Sequence, residues 1–410
     1  MLSSLYSGIT GITAAGYSMS VVGNNIANSN TVGFKSGYTS FADILNQSLG
    51  GAGGGGQVGR GVELTGVQTV FGQGSFENTS NGTDLAIEGN GFFAVADSTG
   101  TYYSRAGQFI MDSEGYLVNP SGFNLQGYAV DTTGALVTTI TDINVGQMSS
   151  APKQSSEFNI TANLKGDEAA GETYSTTVTL YDSIGASMPL TITFTKLAAN
   201  AWTYEASVPA ALGTVLASGT VEFDDNGALS GVDGVVSPFT DKEIYIEPLT
   251  GAADYTVAWD VWDASTPGPT TDLTGYASAS DTTYINQDGY APGSIQSINV
   301  DQDGLLLGLF TNGQTRTMGQ VVLADFISPW GLNKVGRSLF SESSDSGQPT
   351  IGLPGTGGRG RISSSSLEMS NVDMASEFVK MITTQRSYQA NARVITTSDD
   401  LLAELMNIKR

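Results

Sequence analysis

At both ends of this chain, and hardly anywhere between, apolar and small residues recur every three to four positions. Near the front they stand at Leu2, Leu5, Ile9, Ile12, Gly16, Met19, Gly23 and Ile26. Near the back they stand at Met374, Phe378, Met381, Gln385, Tyr388, Ala392, Ile395, Asp399, Leu402 and Met406, with Ala375, Val379, Ile382, Val394, Leu401 and Leu405 as a second stripe beside them. A 3.6-residue repeat brings such positions to one face of a helix, and alternating steps of three and four make a coiled-coil seam. The spacing predicts a front helix over 3–27, about 37 Å long at 1.5 Å per residue. It should end near Asn28, where Asn24, Asn25, Asn28 and Asn30 crowd its exit and Gly33 follows. Ser370 and Asp373 form a capping-box variant that opens the back helix. The two helices should pair, parallel or antiparallel, and the small residues Ser3, Ser4, Ser7, Gly8, Gly11, Ala14, Ala15 and Ser18 would allow other helices to approach closely. The second stripe then has no partner in one chain, which points to packing against other copies.

Between these ends the sequence reads as β. From about 62 to 340 there is little helical periodicity and much Val, Ile, Thr, Tyr and Phe in short alternating runs. One turn device recurs, Asp followed three residues later by Gly, at 97–100, 112–115, 131–134, 182–185, 224–227 and 301–304. Asp suits the first position of a type I turn and Gly the left-handed position that closes it, so these predict hairpins. Asp301-x-Asp303-Gly304 also resembles part of a calcium loop, but nothing at 310–312 supplies the acidic ligand such a loop needs. Two glycine-rich segments flank the β region. Residues 50–61 include Gly53, Gly54, Gly55 and Gly56, and residues 352–366 include Gly357 and Gly358. Neither carries a G-x-x-x-x-G-K-[ST] phosphate loop. By composition both read as flexible linkers.

Composition narrows the chemistry. The chain has 410 residues with no Cys and no His, which excludes disulfides, thiol or imidazole catalysis and Cys/His zinc sites. With 17 basic against 40 acidic residues the net charge is −23, unsuited to a nucleic-acid backbone. That charge is uneven. Residues 1–42 hold one basic residue, Lys35, and no acid, whereas the back 40 residues balance five bases with five acids. An acidic middle stays soluble while near-neutral ends can crowd together. Lys35 is also the first basic residue, so a positively charged secretory n-region is not expected, and no apolar run approaches the roughly 18 residues of a membrane span. No cofactor and no metal is expected, and paired-carboxylate catalysis finds no paired acids, since the acids sit mostly at turns.

Two motifs then bring a family into view. The segment 23–36, with Asn24, Asn25, Ile26, Ala27, Asn28, Gly33, Phe34 and Lys35, resembles the amino-terminal signature of the bacterial flagellar rod and hook proteins. The segment 370–391, with Asn371, Val372, Gln385, Arg386, Tyr388, Gln389 and Asn391, resembles their carboxyl-terminal signature. The stretches 90–93, 103–109 and 319–326 look like the family's β core, and residues 145–284 match least well.

The resemblance implies a mainly β, multi-domain fold in nested layers. An inner domain of paired terminal α-helices would take 1–30 with 370–410, and a connecting segment 31–75 with 341–369. A β core would take 76–144 with 285–340, and an inserted outer β domain 145–284. It also implies a structural, non-enzymatic subunit of the flagellar hook, a curved hollow tube that acts as a universal joint. The alternative is a distal rod subunit, against which the large insertion argues; an acidic adhesin would not need matched helices at both ends. The implied partners are other copies of the chain, the distal rod, hook cap and hook-filament junction proteins, and the flagellar type III export apparatus. Neither nucleic acid nor membrane insertion is implied. The expected location is extracellular, in the flagellum, without a cleaved signal. Some relatives cross-link subunits through a Cys; this chain has none.

Overall fold

No proline interrupts residues 2–27, and in the computed structural model they form one helix, α1 (Leu2–Ala27). Asn28 ends it by turning its amide back onto the Asn24 carbonyl at 2.9 Å and the Asn24 side chain at 2.8 Å. The second helix, α2 (Met374–Ile408), opens on Asp373. The Asp373 carboxylate accepts the Ala375 N–H at 3.0 Å, and its carbonyl accepts the Glu377 N–H at 3.0 Å. The cap is therefore Asp373 alone, not the Ser370–Asp373 box expected from sequence: Ser370 is spent on its own turn, its hydroxyl taking the Val372 N–H at 3.4 Å. The structure describes residues 2–44, 47–48, 57–131, 134–146, 148–236, 241–261 and 272–408. Gly53 to Gly56 lie outside the described residues.

Contacts divide the chain into two compact units: residues 1–148, 297–309 and 315–410, and residues 149–296 with 310–314. The first unit holds both helices. After α1 the chain forms an antiparallel ribbon of Gly37–Asp43 and Val62–Thr69, with Tyr38 opposite Gln68 and a register slip at Ser40/Phe41. Two strands alone are marginal. The ribbon is tied to α1 through Asn25, which donates to the Gly37 carbonyl at 2.9 Å and accepts the Gly37 N–H at 2.8 Å. The unit's large sheet runs, neighbour to neighbour, Ile295–Val300, Leu305–Phe310, Thr315–Val321, Asn124–Val130, Phe92–Asp97, Gly100–Ser104, Leu339–Ser341 and Asn333–Gly336. One face carries an aromatic cluster in which Phe92 meets Phe71, Phe326 and Phe340 at centroid distances of 5.5, 5.9 and 5.8 Å.

The second unit is built on a sheet ordered Thr173–Tyr181, Ser187–Ala198, Ala201–Ser207, Gly213–Phe223, Lys242–Pro248, Tyr255–Asp260, Glu157–Asn163 and Leu273–Thr274. Alternation decides which side is core. Along Ser187–Ala198, Met188, Leu190, Ile192 and Phe194 are buried while the residues between them are not. They close on Trp202, Tyr204 and Trp259, with Phe158 stacked on Trp259 at 6.1 Å.

All six Asp-to-Gly turns join hairpin strands. In five, the Gly sits at φ between 77° and 88°, and its N–H bonds the Asp carbonyl at 3.0–3.2 Å. The sixth, Asp97 to Gly100, instead closes through the Asp97 side chain, which takes the Gly100 N–H at 3.2 Å.

Another carboxylate staples the second unit. Asp288 accepts the Ser156 N–H at 2.8 Å, the Ser156 hydroxyl at 2.6 Å, the Glu157 N–H at 3.1 Å and the Lys153 ammonium at 2.9 Å. Burial raises its pKa, but the Ser156 and Lys153 hydrogen bonds outweigh burial and hold it at about 2. An unfolded Asp titrates near about 3.9. The stabilisation is thus complete above about pH 4 and is lost as pH falls toward about 2. Asp288→Asn should cost about 1 kcal/mol at pH 7, allowing for solvent screening, and should flatten the second unit's stability between those pH values in urea titrations.

The second glycine-rich segment corrects the sequence reading. It is a hydrogen-bonded turn, not a free linker. Thr350–Gly352 pairs with Leu323–Asp325, Arg361–Ser364 with Leu85–Glu88, and Ser366–Glu368 with Phe76–Asn78. Gly357 and Gly358 supply the positive φ values, 59° and 86°, that the turn requires. Arg359 closes it, donating to the Leu353 carbonyl at 3.1 Å and the Thr356 hydroxyl at 3.0 Å. Composition missed this because the glycines serve tight turns between paired strands.

Candidate assembly surface

The helices α1 and α2 pack antiparallel. Ser4 meets Ser398 at 3.3 Å between hydroxyls, and Asn25 donates to the Glu377 carboxylate at 3.1 Å. Between these, a Cβ added at Gly8 would lie 3.0 Å from the Ile395 side chain, and one at Gly11 2.6 Å from Asn391. The line of closest approach on α1 is therefore Ser4, Gly8, Gly11, Ala15, Val22 and Asn25. The expected seam of Leu2, Leu5, Ile9, Ile12, Met19 and Ile26 is displaced from it by one residue. Ile9 is 45% exposed, while Leu5, Ile12, Met19 and Ile26 are half-buried; the Leu2 side chain lies outside the described residues. On α2, Met381, Ile395 and Leu402 are half-buried, whereas Met374, Phe378, Tyr388 and Met406 are exposed. Small side chains let the two axes approach, so the small stripe faces inward and the larger residues stay outside.

What remains outside is apolar. Phe378, Val379, Ile382, Val394 and Leu401 on α2 are 40–61% exposed, as are Tyr6, Ile9 and Tyr17 on α1. Burying such a side chain yields roughly 1.5–3 kcal/mol, so several per chain leave a substantial apolar surface uncovered.

The hairpin is fastened to the β core by a buried ionic lock. The Lys35 ammonium, with no exposed side-chain surface, donates to Glu368 at 2.6 Å and to the Gly72 carbonyl at 2.9 Å. Arg105 reaches the other Glu368 oxygen at 3.3 Å and the Gly89 carbonyl at 2.8 Å, and lies 5.3 Å over the Phe92 ring. The Gly74 N–H also donates to Glu368, at 2.9 Å. Burial lowers the pKa of Lys35 and of Arg105, and the Glu368 charge opposes it in both. Gly33 makes the approach possible. It stands at φ 66°, and a Cβ there would fall 2.4 Å from the Ala106 nitrogen.

Beside the lock, Asn371 accepts the Ser36 N–H at 2.8 Å and donates to the Val70 and Gly72 carbonyls at 2.8 and 3.0 Å. Lys334 lies 5.6 Å from the Phe34 ring. The two signature segments, more than 300 residues apart, are thus one assembly of hydrogen bonds.

Comparison with known proteins gives this arrangement its context. Family models match residues 5–35 (Flagella basal body rod protein), 86–163 (Flagellar hook protein FlgE/F/G D1 domain), 153–290 (Flagellar basal body protein FlaE D2 domain) and 363–408 (Flagellar basal body rod FlgEFG protein C-terminal). The Flagellar hook protein FlgE of Borreliella burgdorferi is 37% identical over the whole of both chains. That of Salmonella typhimurium is 34% identical over 98% of each. The chain belongs to the flagellar hook protein family. Among solved structures, the Helicobacter pylori flagellar hook protein FlgE2 covers 72% of this chain at 13% identity and a TM-score of 0.47, and all of that chain is matched.

In this hook-family chain the signature residues divide by task. Asn24 and Asn28 end α1, Asn25 joins α1 to both α2 and the ribbon, Gly33 and Lys35 build the lock, and Asn371 ties the backbone beside it. Ile26, Val372 and Asn391 are half-buried, and Ala27 is exposed. Gln385, Arg386 and Gln389 are exposed on α2. Sequence reasoning missed Glu368, Arg105 and Glu377 as site residues. One signal pointed to a partner for Lys35: a lone cation in the first 42 residues that becomes buried needs an anion, and Glu368 is an acid set between Leu367 and Met369.

Proposed function

We propose that this chain is the structural subunit of the flagellar hook, polymerising into a curved hollow tube that serves as a universal joint between motor and filament. Hook-family membership supports self-assembly within the flagellum. The observation that carries the reading further is the exposed apolar face of the helix hairpin. It buries mainly small side chains against itself, so it needs neighbouring copies to cover the rest. In the tube, 1–30 with 370–410 forms the inner layer, 31–75 with 341–369 the connection, 76–144 with 285–340 the β core, and 145–284 the outer shell. The chain's other partners are the distal rod, hook cap and hook-filament junction proteins and the type III export apparatus, which delivers it outside the cell without a cleaved signal. The second β unit favours a hook over a distal rod subunit.

A chain lacking residues 2–30 and 374–408 tests this. The cut stops short of Lys35, whose loss would unbalance the lock. The expected product is a folded monomer that forms no tubes in electron micrographs. Tubes from the truncated chain would overturn helix-driven assembly.

A further inference from the structure

Two of the most exposed large apolar side chains among the described residues lie outside the helices. Ile327 is 89% exposed and Trp330 68% exposed. Ile327 precedes, and Trp330 is the middle residue of, a 3-10 turn, Pro329–Gly331, between the strands Leu323–Asp325 and Asn333–Gly336. The turn is held rigidly. The Gly331 and Leu332 N–H groups donate to the Ser328 and Pro329 carbonyls at 3.1 Å each, and the Ser343 hydroxyl donates to the Gly331 carbonyl at 2.6 Å. A Cβ at Gly331 would fall 2.4 Å from the Asp345 backbone, so the turn lies directly on its neighbour. Ile327 and Trp330 form one rim of a cleft of about 530 Å³. The exposed Tyr38 and Val70 and the buried aromatic core residues Phe92 and Phe326 also line it.

We infer that this rim and cleft are a docking site for a second copy of this chain, with Trp330 as its anchor. The inference rests on the proposed assembly and goes beyond the helices to the β core. Three observations select the occupant. The charged side chains lining the cleft are Asp325 and Arg105, opposite in sign and attracting each other, with Arg105 also engaged with buried Glu368. Copies that each carry −23 meet at least cost on a charge-balanced, largely apolar surface, whereas a cationic partner would be drawn to the acidic surface instead. One lining residue, Tyr38, belongs to the ribbon fastened to α1, so the cleft adjoins a helix that bears exposed apolar residues. The turn is also pre-organised, so little freedom is lost on docking, and exposed tryptophans are typical anchors of protein contacts. Knob and cleft lie side by side. Mutual insertion between two copies would close a two-fold dimer, whereas an open tube needs a different surface of the next copy to fill them.

The test measures the critical concentration for polymerisation of the purified full-length chain, by light scattering and electron microscopy. Trp330→Ala should raise it at least tenfold while leaving the circular dichroism and melting curve unchanged, and Trp330→Phe should restore most of the loss. If Trp330→Ala disturbs folding, Ile327→Ser takes its place, at a side chain that is almost wholly in solvent. Polymerisation of a folded variant within twofold of wild type overturns the docking site and leaves helix-driven assembly standing. Failure of the wild-type chain to polymerise at all overturns both.

Discussion

Glu368→Gln should destabilise the first unit more than any surface substitution does. Removing the carboxylate charge leaves the buried Lys35 ammonium with the Gly72 carbonyl, and Arg105 with the Gly89 carbonyl and the Phe92 ring, but takes the shared buried counter-ion from both. Breaking a buried ion pair by removing one partner costs about 3–5 kcal/mol, and here two cations lose the same anion. Lys35→Met should cost less, because Glu368 keeps Arg105 and the Gly74 N–H. The order Glu368→Gln, then Lys35→Met, is what distinguishes a lock from ordinary core packing, which would make the larger truncation worse. Urea unfolding followed by circular dichroism checks it, with the second unit's transition expected to stay in place. Equal losses from the two variants would contradict the lock.

Phe378→Asp is expected to abolish tube formation while leaving the monomer intact. Phe378 is 49% exposed, so the isolated chain loses little. In a polymer the carboxylate would have to be buried between copies, at a cost of several kcal/mol. Val379→Asp, 61% exposed on the same helix, should behave likewise. Sedimentation and negative-stain microscopy read the outcome. Wild-type tubes from either variant would show that this helix face is not an assembly contact.

The periodicity of both helices was legible in the sequence, and so were the six hairpin turns, because each rests on local spacing. The phase of the helix pairing was not. Apolar spacing alone puts Leu5, Ile9 and Ile12 between the helices, whereas Gly8, Gly11 and Ala15 occupy that line. In a lone globular protein the largest apolar residues mark the core. In a self-assembling chain they also mark surfaces kept for neighbours, and the intramolecular contact falls to the smallest residues. The lock was illegible for a different reason: its partners lie 333 residues apart, and no local pattern links them. The glycine turn at 352–366 misled for a third reason, since composition cannot tell a loose segment from one where strands reverse.

The separation of Lys35 from Glu368 also sets a schedule. A chain made from its front end presents Lys35 while its counter-ion, 333 positions later, does not yet exist. Until then α1 has no α2 beside it, and the ribbon has no fastening to the last strands. The junction with the β core can close only in the last tenth of synthesis, so an incomplete chain never has a finished assembly end. On the proposed assembly, the order of the residues themselves would delay association until synthesis is complete, and a chain truncated before Glu368 should be inert toward complete ones.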